Sequence, residues 1–254
     1  MQSFFKRWSR VFVTFSFGYF LITVCSFSYL FFRTPFYFVF IFAVIFIGAY
    51  SLPFFLKLFS VTKIYDGKFR TKILKFCFDH SIDIQDVYVL KNDKSNAFIS
   101  GFGNTKSVTF YSGLLECHPY DEIEAALAHE LGHHKNNDSI FLSSVIVSLL
   151  SFGSLVSVNI YINYFHNFIF LFIICALTSI FLLPLGLFIS RIRENSADLY
   201  AKKVLKDPTA FARFFERMLN REKESGNEIT PTTNIFYLMW LTHPSVFGRI
   251  KLMK

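Results

Sequence analysis

The sequence predicts a mostly α-helical integral membrane protein with four transmembrane helices and a cytoplasmic α+β domain that carries a small β-sheet. The 254 residues are 53% hydrophobic and 17% charged, whereas soluble domains average about 25% charged residues. The mean hydropathy is +0.41, and the uncharged residues gather in long stretches that the lysines and arginines flank. Disordered, fibrous and small disulfide-rich secreted proteins are therefore excluded.

Four stretches are long enough to cross a bilayer, which takes about 20 apolar residues. They are residues 11–32, 36–56, 140–161 and 168–190. The first follows three basic residues, as a signal peptide would, but it ends without a small-residue cleavage site, so we expect a retained anchor. The third is rich in serine. A shallow hairpin with the fourth is the alternative to a full crossing, although its length favours crossing.

The basic residues predict the orientation. Of the 26 lysines and arginines, only Arg33 falls in the loop between the first two stretches. The positive-inside rule therefore places both termini and both polar segments in the cytoplasm. We favour a bacterial inner membrane, with the endoplasmic reticulum as the eukaryotic counterpart. Because orientation explains the net charge of +8, nucleic acid is not an expected partner.

Along the chain, segments expected in the membrane alternate with segments expected in the cytoplasm. They are a two-helix membrane anchor (1–58), a cytoplasmic segment (59–139), a second transmembrane hairpin (140–190) and a second cytoplasmic segment (191–254). In the first cytoplasmic segment, an amphipathic pattern over 63–80 predicts a helix. Short β-rich runs at 87–90, 97–99 and 107–111 predict the small sheet. Pro119 then opens a predicted helix whose first turns are acidic, as the helix dipole favours.

That last helix contains an HExxH motif, His129-Glu-Leu-Gly-His133. Residues i and i+4 lie on one face of a helix, so the two imidazoles can bind one zinc ion. Glu130, beside the first histidine, can act on zinc-bound water as a general base. The alternative is a solvated helix face that carries incidental histidines, which the helical context disfavours.

A catalytic zinc site of this type needs a third protein ligand. The metzincin continuation requires a histidine at position 139, where the sequence has Ser139, so that class is excluded. Glu194, 61 residues beyond the motif, is the candidate from another helix. Asp198, one helical turn later, can accept a hydrogen bond from the far nitrogen of a ligand histidine. By spacing alone, ordinary pairing of these two acids with neighbouring basic residues is an equal alternative.

Five sequence blocks follow one another in a fixed order between residues 95 and 250. They read SNAF (95–98), GLL (113–115), AHELGH (128–133), SRIRENSAD (190–198) and THPS (242–245), the last followed by Arg249 and Ile250. This set resembles the membrane zinc metallopeptidase family that includes HtpX-like proteases and CAAX prenyl proteases, an HExxH…ExxAD type of gluzincin. The resemblance implies a zincin-like α+β protease domain, hydrolysis of peptide bonds and one Zn²⁺ per chain.

The resemblance also implies roles for the residues around the metal. Glu194 is then the third zinc ligand beside His129 and His133. Asp198 occupies the position that supports a ligand from behind. Arg249 is expected to brace the site by pairing with an acidic side chain, for which Asp198 is the candidate.

The resemblance also implies roles for two further regions of the chain. The segment Asn96, Ala97 and Phe98 resembles the edge strand on which family members lay an extended peptide. His243 belongs to the family's His-Pro block, where it either stabilises the oxyanion and holds the peptide as a catalytic residue, or packs beside the following proline. His118, by contrast, has no partner in the sequence and is expected at the surface.

The leading hypothesis is a zinc metalloendopeptidase that acts on peptides or membrane proteins at the cytoplasmic face of the bilayer, in HtpX-like quality control. The first alternative is CAAX prenyl protease-like processing of prenylated or other C-terminal peptides, although those enzymes have seven spans. The second is a non-catalytic membrane chaperone or binder with a structural metal, but such sites usually have four protein ligands. The sequence carries no signal for an oligomeric state.

Overall fold

Five stretches of the chain are described by the computed structural model: residues 61–64, 67–101, 106–165, 167–224 and 243–254. The chain divides into two units, Met1–Ala49 with Ile140–Ile189, and Tyr50–Ser139 with Ser190–Lys254. The first two predicted spans, 11–32 and 36–56, lie outside the described residues. The second unit contains every candidate site residue.

A four-stranded sheet forms the β part of the second unit. Its strands are β1 (Val61–Ile64), β2 (Asp86–Leu90), β3 (Ala97–Ser100) and β4 (Ser107–Tyr111), in the order β1-β2-β4-β3. The central strands β2 and β4 are parallel, and β1 and β3 pair antiparallel with them at the two edges. The predicted small sheet is confirmed, and β3 has one hydrogen-bonded neighbour among the described strands.

The helix predicted over residues 63–80 begins later than expected, because strand β1 occupies its first positions. Helix α1 covers Lys68–Asp79 and buries Ile73 and Cys77 completely. The preceding sequence Val-Thr-Lys-Ile is rich in β-branched residues, which favour a strand. It pairs with β2, more than twenty positions further along the chain. The amphipathic pattern over 63–80 begins inside this short strand, so the predicted start of the helix was too early.

The HExxH motif lies on a helix, as predicted. After the short helix α2 (Ser112–Cys117), helix α3 covers Tyr120–Lys135 with Pro119 at its N-cap. Its first turn carries Asp121 and Glu122, which complement the positive end of the helix dipole. Apolar side chains at helical spacing are buried in the core: Ile123, Leu127 and Leu131.

Two long helices follow. Helix α4 (Asp138–Ile160) covers the third predicted span, and α5 (Phe168–Val204) covers the fourth and continues well beyond it. A π-helical turn lies between them. Within the described ranges, one helical stretch, Ile169–Val204, is long and apolar enough to cross a membrane. Four transmembrane helices therefore stay a prediction.

Two amphipathic helices complete the second unit. Helix α6 (Thr209–Glu224) contacts α3 and also α7 (Val246–Met253). Its buried face carries Phe211, Phe214 and Phe215. Because α3 contacts both β3 and α6, the HExxH helix is held in the core of this unit, and its histidines are positioned by packing on both sides.

Candidate metal centre

Three side chains meet at one point of the second unit: His129 and His133 from α3, and Glu194 from α5. The Nε2 atoms of the two histidines are 3.0 Å apart. The carboxylate oxygens of Glu194 lie 3.5 Å from His129 Nε2 and 3.4 Å from His133 Nε2. Tetrahedral zinc with bonds of about 2.0–2.1 Å separates its ligand atoms by about 3.3 Å. The spacing of these three side chains therefore fits a zinc ion.

The chemistry of the donor set fits zinc as well. Two imidazole nitrogens and one carboxylate oxygen form a common ligand set of catalytic zinc sites. Glu194 Oε2 is buried and has no hydrogen-bond partner of good geometry among the described residues. The Nε2 atoms of His129 and His133 face each other, so neutral imidazoles would oppose two lone pairs. A cation among the three groups satisfies all of them.

Asp198 holds the first of these histidines. Its Oδ1 lies 2.8 Å from His129 Nδ1, and Arg249 donates two hydrogen bonds of 2.7 and 2.5 Å to the same carboxylate. Asp198 is fully buried, and Arg249 is also buried, with its guanidinium 4.4 Å from the centre of the Phe215 ring. Arg249 and Asp198 thus form the pair that the sequence suggested.

Asp138 holds the second histidine in the same way, and the sequence analysis did not identify it. Its Oδ2 lies 2.7 Å from His133 Nδ1, and its Oδ1 accepts a hydrogen bond from Arg193 Nε. Arg193 also donates a 2.8 Å hydrogen bond to the carbonyl of Asn136. Asp138 could have been identified from the sequence as an acidic residue five positions after the motif, in the first turn of the next helix. Each histidine therefore has its own Asp–Arg pair, and in both pairs the aspartate is buried.

The charged groups of the cluster shift one another's pKa. Burial lowers the pKa of His133, but its hydrogen bond to Glu194, the charge of Glu130 and the bond to Asp138 outweigh burial and raise this pKa to about 9. Burial raises the pKa of Glu194, yet its contacts with the histidines hold it well below its usual range. In the absence of a metal, the cluster therefore attracts a proton, and metal binding has to displace it.

A cavity of about 280 Å³ opens onto the cluster. Glu130 lines it beside the histidines, and burial raises the pKa of its carboxyl. A raised pKa suits a general base that works near neutral pH. The remaining walls come from the start of β3, from α6 and from the chain around α7. They are lined by Ser95, Asn96, Ala97, Phe211, Phe214, Phe215, Met218, His243, Pro244 and Val246.

Of the other residues predicted to belong to the site, some line this cavity and one packs behind it. Asn96 and Ala97 line the cavity, whereas Phe98 packs edge-on against Tyr111 with the ring centres 6.2 Å apart. His243 is largely exposed, and its Nδ1 lies 3.0 Å from Glu194 Oε2. The structure therefore brings His243 to the mouth of the metal centre and places Phe98 in a packing contact.

Gly132 allows α3 and α5 to approach each other closely at the centre. A Cβ atom at this position would lie 2.9 Å from the Cα and 3.0 Å from the carbonyl oxygen of Ala197. Such contacts with backbone atoms are sterically forbidden, so any larger residue would separate the helices. The glycine inside the HExxH motif thus lets Glu194 reach the two histidines.

His118 is buried, contrary to the surface position expected from the sequence. Only 6% of it is exposed. Its Nδ1 donates to Glu122 Oε2 and its Nε2 accepts from Ser95 Oγ, both at 2.8 Å. Arg217 donates two further hydrogen bonds of 2.9 Å to the Glu122 carboxylate. The acid four positions later was visible in the sequence, but Ser95, 23 positions earlier, was not.

A helix with an HExxH motif beside the edge strand of a small sheet, joined by a glutamate from a later helix, is the arrangement of a zincin-type metallopeptidase site. The profile described as Peptidase family M48 matches residues 74–254, and the chain belongs to this family. The resemblance inferred from the sequence blocks is thereby confirmed.

Both groups named in that resemblance, the CAAX prenyl proteases and the HtpX-like proteases, include proteins that are similar to this chain. A CAAX prenyl protease 1 homolog of Arabidopsis thaliana is 27% identical over 75% of this chain and 48% of that protein. A Protease HtpX homolog of Helicobacter acinonychis is 28% identical over 65% of this chain and 59% of that protein. The chain thus spans only about half the length of the curated relatives it matches. The crystal structure of S. mikatae Ste24p covers 93% of this chain and 62% of that one, with a TM-score of 0.76 and 21% identity, which shows a shared fold.

Proposed function

We propose that the protein is a membrane zinc metalloendopeptidase. The observation that carries the proposal is the meeting of His129, His133 and Glu194 at the wall of a cavity that Glu130 also lines. Three ligands leave one position of a tetrahedral site open, which is typical of catalytic rather than structural zinc. The same feature disfavours a non-catalytic binder with a structural metal.

In this proposal each side chain has a separate role in peptide-bond hydrolysis. Zinc held by the three ligands supplies Lewis acidity toward a carbonyl oxygen and toward water. Glu130 takes a proton from the attacking water at its carboxylate and delivers it to the nitrogen of the leaving amine as the C–N bond breaks. Asp198 and Asp138 hold the Nδ1 protons of the histidines, which directs both Nε2 atoms toward the metal.

The substrate lies, in this proposal, along the edge of β3 that has no partner among the described strands. An extended peptide that pairs with Asn96 and Ala97 adds a strand to the sheet and passes the metal centre, because both residues line the cavity. Phe98 would hold the strand in place through its contact with Tyr111. His243, exposed at the mouth, is proposed to donate a hydrogen bond to the oxyanion, a contribution typically worth about 10²–10³ in kcat.

We further propose that the enzyme spans the membrane four times and degrades damaged membrane proteins at the cytoplasmic face. The basic residues, which lie almost entirely outside the loop at Arg33, support this orientation. A second candidate function is the processing of prenylated C-terminal peptides. It is favoured by similarity over 75% of the chain to a CAAX prenyl protease 1 homolog.

The test compares the full chain with Glu130→Gln after purification in detergent and zinc loading. An unfolded membrane-protein fragment and a farnesylated C-terminal peptide serve as substrates. We expect Glu130→Gln to retain one zinc per chain and lose cleavage, while Glu116→Gln, at an exposed position, cleaves like the wild type. An active Glu130→Gln protein would overturn the assignment. Cleavage of the fragment alone supports quality control, and cleavage of the farnesylated peptide alone supports processing.

A further inference from the structure

A buried histidine joins the start of strand β3 to the helix that carries the HExxH motif. His118 Nε2 lies 2.8 Å from Ser95 Oγ, and His118 Nδ1 lies 2.8 Å from Oε2 of Glu122, which is on α3 with His129. The imidazole also packs on Phe214, with the ring centres 4.7 Å apart. Because Ser95 and Phe214 both line the cavity, His118 connects the wall of the cavity with the metal-binding helix.

The surroundings of His118 determine which of its ring nitrogens carries the proton. Burial lowers the pKa of His118, so the imidazole is neutral at pH 7. Its Nδ1 donates to the Glu122 carboxylate, which two hydrogen bonds of 2.9 Å from Arg217 hold in place. Nε2 is then an acceptor, and Ser95 donates its hydroxyl proton to it. The ring is thus fixed at both nitrogens, and through it the hydroxyl of Ser95.

The chain that leads into β3 is attached at two points. At the first, Gly113 N donates a 2.9 Å hydrogen bond to the carbonyl oxygen of Asn92. Glycine allows this approach of α2, because a Cβ at position 113 would overlap the carbonyl group of Asp93. At the second, Ser95 is bound to His118. Helix α2 and His118 therefore fix the path of the chain just before the strand.

This path bears on the backbone groups that a bound peptide would use. Tyr111 N donates a 2.9 Å hydrogen bond to Asn96 O, which makes these two residues a hydrogen-bonded pair of β3 and β4. In an antiparallel ladder the next pair is not hydrogen-bonded, so its N–H and C=O groups point to the opposite edge. Ala97 is in that next pair and lines the cavity. The backbone groups offered to a peptide beside the metal centre thus follow Ser95 by two residues.

We propose that His118 is a positioning residue, which sets the place of the β3 edge relative to the metal centre by holding the hydroxyl of Ser95. This inference rests on the proposed peptidase function. Without the bond, the chain before Ala97 is released, and a peptide paired with β3 is bound less firmly beside the metal. Because the peptide loses the same contacts before and during the reaction, KM should rise more than kcat falls.

Two substitutions of His118 separate this role from that of a mere partner for Glu122. In His118→Gln the amide oxygen can replace Nε2 and keep the bond to Ser95. In His118→Asn the shorter amide can replace Nδ1 and keep only the bond to Glu122. We expect His118→Asn to raise KM for the membrane-protein fragment by about 5–10-fold, the effect of losing one neutral hydrogen bond, and His118→Gln to raise it by about twofold or less.

Ser95→Ala removes the same bond from the other side and leaves the contact of His118 with Phe214 intact. It should raise KM as His118→Asn does, and the double variant should be no worse than either single one, because both remove one interaction. His80→Asn, the same change in a histidine of the α1 C-cap, is the matched control and should cleave like the wild type. A His118→Gln protein that is more impaired than His118→Asn would overturn the proposal, as would an unchanged KM in His118→Asn.

Hydrogen exchange of the zinc-loaded full chain in detergent tests the positioning without a substrate. Ser95→Ala and His118→Asn should speed amide exchange at residues 95–97 by about fivefold or more, since local opening becomes easier there. Zinc content and exchange in α3 should stay as in the wild type. Unchanged exchange at 95–97 would overturn the positioning role. Faster exchange in a protein whose wild type cleaves no fragment would refute the peptidase function while leaving the role of His118 in place.

Discussion

Asp138 fixes the imidazole of His133: its Oδ2 lies 2.7 Å from His133 Nδ1, and Arg193 binds the other carboxylate oxygen. The same arrangement recurs at His129, where Asp198 and Arg249 play the corresponding parts. Both histidines are thereby prevented from rotating, and each presents Nε2 to the same point. The metal centre is therefore preorganised by two Asp–Arg pairs with buried aspartates, which come from different parts of the chain.

Asp138→Asn should lower zinc affinity by about 10–100-fold, the usual effect of losing a hydrogen-bonded carboxylate behind a metal ligand. The amide oxygen still fits the space, but it carries no charge for Arg193 or for the His133 Nδ1–H group. Competition with a chromogenic chelator measures the affinity. Asp79→Asn, at the exposed end of α1, is the control and should bind zinc like the wild type. Unchanged affinity in Asp138→Asn would show that the pair acts on folding alone.

Arg249→Met should destabilise the fold by about 3–5 kcal/mol, because it leaves the fully buried carboxylate of Asp198 without its charged partner. The free energy of unfolding, measured by chemical denaturation at saturating zinc, reports the loss. Lys251→Met, an exposed position on the same helix, should change stability little. If Asp198→Asn combined with Arg249→Met is no more stable than Arg249→Met alone, the cost does not come from an unpaired charge.

Gly132→Ala should destabilise the fold by about 1–3 kcal/mol, since a new methyl group has to displace the backbone of α5 at Ala197. The displacement moves Glu194 away from the histidines, so zinc affinity should fall in parallel. Gly186→Ala is the matched control, because a Cβ at Gly186 meets nothing within 4 Å. A Gly132→Ala protein that binds zinc normally would mean that α5 can shift without carrying Glu194 along.

His118 should make the protein less stable as the pH falls below about 6.5, the ordinary value for histidine. Burial lowers its pKa in the folded state, and the bond to Glu122 offsets this only in part. The unfolded chain therefore takes up this proton at a higher pH than the folded one does, and stability is lost as the pH decreases through that window. Unfolding free energies between pH 7 and pH 5 should fall less steeply in His118→Gln than in the wild type. Identical slopes would contradict this assignment.

The elements that depend on local periodicity could be predicted from the sequence, and those that depend on distant partners could not. Helix α3 follows from the spacing of its apolar residues and histidines. Asp138 was missed because the helical periodicity ends at Lys135, and the turn that follows, with Asn137 at a φ of 52°, returns the chain toward His133. Strand β1 and the burial of His118 were missed for a related reason, since the strand that pairs with β1 and one of the two partners of His118, Ser95, lie more than twenty positions away.

The positions of the three ligands have a consequence for the whole chain. His133 and Glu194 are 61 residues apart, so a metal ion bound to both is a cross-link that closes a loop of that length. In a chain-entropy model, a covalent bridge across such a loop stabilises the folded state by about 4 kcal/mol by restricting the unfolded one. The stability of the folded protein would then depend on bound zinc, so that a shortage of zinc would lower the amount of folded protein as well as the proposed activity.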